Sequence, residues 1–139
     1  MKSLVLLLIV IILTSCGSGN ATMEKTELPE DTIDIQSPPN DNYSVGRVYL
    51  SEIKRITVDG SAKLIIEGHL PESCSRLYTA RLDFTSDSEA TLDMRSWRPA
   101  DQMCMQVLVK FTYIFDDIDD DRISSISYIE HNGEQKEIN

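Results

Sequence analysis

Residues 78–95 read YTARLDFTSDSEATLDMR, and the alternation of apolar and polar side chains in this stretch decides the fold class. Apolar side chains occupy every second position on both sides of a polar run: Tyr78, Ala80, Leu82 and Phe84 before it, and Ala90, Leu92 and Met94 after it. A period of two is typical of strands that bury one face. The polar run TSDSE at 85–89 suits the turn of an antiparallel hairpin. The stretch therefore predicts two paired strands.

Two further hairpins are predicted on either side of this one. Before it, the turn residues Asp59-Gly60-Ser61 separate a strand that ends with Val58 from a strand that contains residues 64–66. After it, Asn132-Gly133 is a strong signal for a two-residue turn, and a last short strand ends at Ile138. Ile126 and Tyr128 are expected on the strand that precedes this turn.

The segment between these hairpins permits two interpretations. Residues 103–115 are apolar at seven successive alternate positions, but a helix starting near Pro99 would also place several of these residues on one side. The β-branched and aromatic content favours a strand. We therefore expect one long strand, followed by an acidic turn from Asp116 to Arg122.

About seven short strands with regularly spaced turns indicate a β-sandwich. We expect residues 46–139 to form a mainly β, single antiparallel β-sandwich, immunoglobulin-like in general character. Trp97 stands outside the clean alternation, two residues before Pro99. We therefore do not assign it the buried position that tryptophan holds in antibody domains.

The amino terminus has the features of an export signal. Lys2 precedes ten apolar residues, Leu4 to Leu13, which as a helix would span roughly 15 Å and are too short to cross a bilayer. The next residues, Leu13-Thr14-Ser15-Cys16, resemble the lipobox of bacterial lipoproteins at all four positions. The alternative is an ordinary signal peptide followed by a chance cysteine.

The lipobox resemblance implies a location and an anchor. It implies that a signal peptide of residues 1–15 is removed and that Cys16 carries fatty acyl chains, which hold the domain outside the cytoplasm on the bacterial cell membrane or outer membrane. In lipoproteins of enteric bacteria, an aspartate directly after the lipidated cysteine resembles an inner-membrane retention signal. Gly17 occupies that position here, so placement in an outer membrane is allowed. Residues 16–45 are rich in proline and acidic side chains, which predicts a flexible tether, although Ile33 and Ile35 would permit a short edge strand.

Two cysteines remain once Cys16 is assigned to lipid. In an oxidising, exported compartment Cys74 and Cys104 are expected to pair, the alternative being a free, reactive or metal-bound thiol pair. The stretches GHLPESC at 68–74 and RPADQMCMQ at 98–106, followed by Phe111, resemble a small two-cysteine β-module of exported bacterial proteins. That resemblance covers roughly residues 64–133 and implies a Cys74–Cys104 bridge and a β fold, but no activity.

Charge and motifs argue against several functions. The net charge of −10 disfavours nucleic acids and anionic membrane surfaces as partners. We expect His69 and His131 to be exposed loop side chains, since both neighbour turn residues. No nucleophile elbow, phosphate loop or His/Cys metal motif occurs. We therefore expect a protein without enzymatic activity and without a required cofactor.

The acidic turn offers a calcium hypothesis. Asp117, Asp119 and Asp121 occupy positions 1, 3 and 5 of a calcium-loop template. The template then fails, because Arg122 replaces the required glycine and Tyr128 the bidentate glutamate. A solvated acidic turn is the favoured interpretation, with weak Ca²⁺ binding as the alternative.

Three functional hypotheses follow. The favoured one is a membrane-anchored binding or structural module of the cell envelope, which contacts a protein or glycan through its sheet faces or loops, with Trp97, Tyr43, Tyr49 and Tyr113 as candidate surface aromatics. The second is a calcium-binding envelope module. The third and least favoured is a glycan-acting enzyme, which would need two carboxylates across a cleft.

Overall fold

The computed structural model describes residues 27–139, so the leader and the predicted lipidation site Cys16 lie outside the described residues. Eight strands and one short helix follow one another in this part of the chain: β1 (Tyr43–Arg47), β2 (Tyr49–Val58), β3 (Ser61–Leu70), β4 (Arg76–Phe84), β5 (Glu89–Pro99), β6 (Val109–Phe115), α1 (Asp120–Ser125), β7 (Tyr128–His131) and β8 (Glu134–Glu137). Between residues 27 and 139 no helix is both long enough and apolar enough to cross a membrane.

The strands form two sheets. In the five-stranded sheet, β5 is central: β4 pairs with one edge, β1 and β7 pair with opposite ends of the other edge, and β8 pairs with β7. The second sheet has the order β2-β3-β6. Buried apolar side chains from both sheets and from α1 form one core, which includes Ile53, Leu64, Ile66, Leu77, Leu92, Met94, Phe111 and Ile123. The predicted β-sandwich is confirmed.

The three predicted hairpins are present. In β4 and β5, Ala80, Leu82 and Phe84 pair with Met94, Leu92 and Ala90 on the core side, as the alternation predicts. Tyr78 is an exception, because the register shifts between Leu77 and Thr79, so that Leu77 enters the core and Tyr78 packs against Tyr43. The two shorter turns use a left-handed backbone: Asp59 and Gly60 have φ values of 50° and 84°, and Asn132 and Gly133 have 54° and 81°. Two successive positive φ values match the twist of the flanking strands.

One strand pair departs from the antiparallel pattern. β7 runs parallel to β5, with Glu89, Ala90 and Thr91 opposite Tyr128, Ile129 and Glu130. The chain enters β7 from the other sheet through α1 and not through a hairpin, so no tight turn fixes its direction.

The long strand predicted over residues 103–115 is wrong in its first half. Only Val109–Phe115 forms a strand, and Val109 is paired with Leu70, the last residue of β3. Residues 103–108 come before any partner strand is available and are not part of a sheet. The alternative helix is also absent from this segment.

The acidic turn predicted from Asp116 to Arg122 also needs correction, because α1 begins within it. The side chain of Asp119 caps the helix by accepting a hydrogen bond from the Asp121 amide. Ile123 and Ile126 lie three residues apart and are both fully buried, so the core stabilises the helical turn. Ile126, which was expected on a strand, is the C-cap of α1, and Tyr128 begins β7.

The segment before β1 is attached to the sandwich before the predicted boundary at residue 46. The amide of Ile33 donates to the carbonyl of Thr112 in β6, and the amide of Gln36 donates to the carbonyl of Leu77 in β4. These strands are the edges of different sheets, so this segment bridges one side of the sandwich. On the other side, the backbone of Asn139 exchanges hydrogen bonds with Ile53 and Arg55 of β2.

Candidate interaction surfaces

The first candidate surface is an exposed apolar loop of residues 103–108, between β5 and β6. Met103 is 99% exposed, Met105 70% and Leu108 62%, and Val107 is exposed as well. Apolar side chains of this size normally enter a core, and a contiguous exposed group of them is typical of an interaction site. The alternation that predicted a half-buried strand therefore belongs to a surface.

The apolar loop is held in shape by covalent and hydrogen bonds. The predicted Cys74–Cys104 disulfide is present, with the two Cα atoms 5.5 Å apart. Next to it, the amide of Ser73 donates to the carbonyl of Met105 at 3.0 Å, and the amide of Met105 donates to the Ser73 hydroxyl at 3.0 Å. Cys74 precedes β4, and Cys104 lies inside the loop, five residues before β6 begins.

The second candidate surface is the outer side of the five-stranded sheet. Outward-pointing residues of β5 alternate with the buried Leu92, Met94 and Ser96. Strand register places four exposed arginines on this side: Arg95 of β5, Arg47 opposite it in β1, and Arg81 and Arg76 of β4 opposite Asp93 and Trp97. We call Arg47, Arg76, Arg81 and Arg95 the arginine face.

Two of these four guanidinium groups are unneutralised by neighbouring carboxylates. Arg81 pairs with Asp83 at 2.8 Å and Arg95 with Asp93 at 2.9 Å. Within residues 27–139, Arg47 and Arg76 form no ion pair. Arg47 and Arg95 stand directly opposite each other across two strands, a like-charge arrangement that destabilises a sheet. Asp83, Asp93, Glu89 and Glu130 lie on the same side toward the other end of β5, so the cationic area is confined to the end that holds Arg47, Arg76 and Arg95. A cationic area of this kind is unusual in a chain of net charge −10.

The aromatic residues proposed as a surface group are mostly covered. Trp97 lies within β5 and is only 7% exposed, and its indole N–H donates to the carbonyl of Gln36 at 2.6 Å. The ring of Tyr43 packs edge-on against Trp97, and its hydrogen bond with Tyr78 raises the pKa of the Tyr43 phenol. Burial raises the pKa of Tyr113. Tyr49, at 53%, is well exposed.

The histidines also differ from expectation. His131 is buried, with Nδ1 2.9 Å from the carbonyl oxygen of Leu92 and Nε2 3.3 Å from that of Val48. It thus joins β7 to β5 and to the residue where the chain crosses between the sheets. His69 lies on β3, half-buried, with Nδ1 3.2 Å from the Ser51 hydroxyl.

The aspartates of the calcium hypothesis have other partners or stand apart. Asp119 caps α1, its neighbour Asp120 accepts a hydrogen bond from Ser61, and Asp116 pairs with Lys63 at 3.4 Å. Among the residues with described positions, no three acidic, histidine or cysteine side chains, including Asp117, Asp119 and Asp121, converge as a metal site.

Three clefts bear on the enzyme hypothesis, which requires two carboxylates on opposite sides of a cleft. A cleft of about 190 Å³ at the end of the sandwich is lined by Ser75, Ser96 and the Glu72–Arg98 ion pair, whose Oε2 and Nε atoms lie 3.0 Å apart. Two clefts of about 350 Å³ flank residues 28–35: one contains Asp34, Asp116 and Asp117, and the other Glu30, Asp31, Glu67 and Lys110. Each of the two larger clefts is lined by three carboxylates, the groups that the glycan-acting hypothesis requires, and that hypothesis stays a prediction.

These features define a small disulfide-bonded β-sandwich domain with two unusual exposed surfaces. Residues 64–138, more than half of the chain, match the family described as the ORF11 beta-sandwich domain, and the chain belongs to this family. The match begins at β3, so β1 and β2 precede it. No curated protein and no solved structure matches the chain.

Proposed function

We propose that this protein is a bacterial lipoprotein, held on a membrane of the cell envelope by acyl chains on Cys16, and that it acts there as a non-enzymatic binding module. The anchor is supported by the sequence Leu13-Thr14-Ser15-Cys16 at the end of an apolar leader. Two or more acyl chains hold a protein stably on a bilayer, which a single chain does not.

The observation that carries the binding role is the arginine face. Placing Arg47 directly opposite Arg95 costs folding free energy. Asp93 offsets the charge of Arg95, but within residues 27–139 no carboxylate pairs with Arg47 or Arg76. An anionic partner would offset their charge. Guanidinium groups bind carboxylates and phosphates through paired hydrogen bonds, so an envelope glycan that carries such groups is the partner class we propose. The rest of the acidic chain would repel such a polymer and would direct it to this surface.

Charge reversal tests the arginine face. We expect the full-length Arg47→Glu/Arg95→Glu variant to lose at least tenfold in affinity for polyglucuronate or for a poly(glycerol phosphate), and wild-type binding to weaken as salt rises. Neutral dextran should not bind. Lys54→Glu/Lys63→Glu changes the net charge equally but on the outer side of the other sheet. Equal losses in both variants, or no binding by the wild type, would reject the proposed partner class.

The anchor is tested separately in living bacteria. Cells fed an alkynyl fatty acid should label the wild-type protein and should fail to label Cys16→Ala, which should also leave the membrane fraction. Labelling of both proteins would place the acyl chains elsewhere.

A further inference from the structure

We propose that the apolar loop inserts into the surface of the same bilayer that holds the acyl chains, so that the domain rests on the membrane at this end. This inference rests on the proposed anchor at Cys16. It assigns a lipid partner to a surface that is distinct from the arginine face.

The side chains of the loop favour an apolar partner. Met103, Met105 and Leu108 are 99%, 70% and 62% exposed, which leaves most of their area in water. Burying such area in the acyl boundary of a bilayer removes it from water without requiring a shaped pocket. Met is also flexible enough to adapt to a fluid partner.

At Met105, near the middle of the loop, the backbone suits a region that is poor in water. A bilayer cannot hydrogen-bond exposed amides, so a segment that enters it must satisfy its own polar groups. The amide of Met105 is bound to the Ser73 hydroxyl, its carbonyl accepts from both Ser73 and Val107, and the Cys74–Cys104 bridge fixes the position of the loop. The loop is therefore preformed, and little ordering entropy opposes its insertion.

The length of the anchored segment allows the loop to reach the bilayer. Glu30 and Asp31 line a cleft with Lys110, and Leu28 lines one with Tyr113 and Asp116, so the chain leading to Cys16 leaves the domain alongside β6, the strand that follows the loop. Residues 16–29 can span at most about 50 Å when fully extended. Tyr49 of β2 stands opposite His69 of β3, and His69 stands opposite Lys110 of β6, so the exposed Tyr49 and Lys110 lie on the same side of this sheet. Tyrosine and lysine are frequent at membrane interfaces.

The charges near the loop do not oppose this contact. Arg98 and Glu72 neutralise each other at 3.0 Å, and Lys110 adds a positive charge two residues after the loop. Apart from the arginine face, the remainder of the chain is strongly acidic, so the other surfaces are less suited to an anionic bilayer. A protein partner or a second copy of the chain is the competing occupant of the loop.

Depth-sensitive fluorescence quenching tests this inference on the full-length acylated protein. Met105→Trp places a reporter in the loop, and Ser86→Trp places a matched reporter in the exposed β4–β5 turn at the opposite end of the sandwich. Both proteins are reconstituted into phosphatidylcholine vesicles that contain acyl-brominated lipids, and the shared signal of Trp97 is subtracted with the wild type.

We expect strong quenching of the Met105→Trp reporter and little of the Ser86→Trp reporter. Adding Met103→Gln and Leu108→Gln should reduce quenching at position 105 while flotation with the vesicles is unchanged. Flotation without quenching at position 105, or equal quenching at both positions, would overturn the loop inference and leave the anchor intact. Failure of the wild type to float would overturn the anchor and the inference together. Self-association through the loop, measured by sedimentation, would assign it to a second copy instead.

Discussion

At the scale of single residues, Gly68 has the least room of the glycines between residues 27 and 139. It lies in β3, and a Cβ atom there would be 2.4 Å from the backbone oxygen of Tyr49 and 3.0 Å from the ring of Phe111. The register of β2 against β3 shifts at this point, between Leu50 and Glu52, so the two backbones approach unusually closely. The glycine is therefore a requirement of sheet packing.

Gly68→Ala should lower the free energy of unfolding by about 1–3 kcal/mol, the usual cost of overpacking, in a urea titration. Gly46→Ala is the matched control. The nearest atom to a Cβ at position 46 is the Ser96 hydroxyl at 3.1 Å, a small side-chain group that can rotate away. A smaller loss at position 68 than at position 46 would contradict this account.

Asp119 provides a second test at this scale, because its carboxylate caps α1. Asp119→Ala should cost about 1 kcal/mol of unfolding free energy, whereas Asp119→Asn should cost little, since asparagine caps equally well. Both are measured in chelator and again with millimolar calcium. A loss with asparagine that appears only when calcium is present would instead support the calcium hypothesis.

Single-residue environments were the least predictable part of the chain. Trp97 continues the outward positions of Asp93 and Arg95, so the alternation places it on the outer side of the sheet, and its burial comes from contact with the distant Gln36 and Tyr43. The nearby Pro99 also hid the length of β5. The burial of His131 depends on carbonyl groups from two distant segments, Leu92 and Val48, which no local pattern reveals.

At the scale of elements, local chemistry predicted the hairpins and failed where tertiary contacts decide. Asp59-Gly60 and Asn132-Gly133 fix their own backbone, so their turns could be predicted. Residues 103–108 have the alternation of a strand but lack a partner, because β3 ends at Leu70. Neither candidate surface could be located from the sequence, since the arginine face depends on the register of three strands.

The disulfide gives a prediction at this scale. It closes a loop with a sequence separation of 30, so Cys74→Ser/Cys104→Ser should lower the unfolding free energy by about 3–4 kcal/mol in the chain-entropy estimate. Reductant should destabilise the wild type by a similar amount and should not affect the double variant. An unchanged unfolding midpoint in the variant would show that the bridge contributes no stability.

At the scale of the whole molecule, the sandwich is bridged along both sides and has its two unusual surfaces in different places. The segment at Ile33–Gln36 joins the edges of β6 and β4, and Asn139 pairs with β2. The apolar loop lies at one end, at the start of β6, and the chain toward Cys16 leaves the domain alongside that strand. The arginine face lies on the outer side of the five-stranded sheet. A domain that rests on its loop would leave the arginine face free for a partner.

The proposed contact of the loop with the bilayer requires that the processed chain begins with a lipid-bearing cysteine. Mass spectrometry of the amino-terminal peptide from protein purified out of its native membrane is the most direct test. We predict a peptide that starts at Cys16 and carries the mass of a diacylglyceryl group. A peptide that starts at Met1, or an unmodified thiol at position 16, would contradict the account.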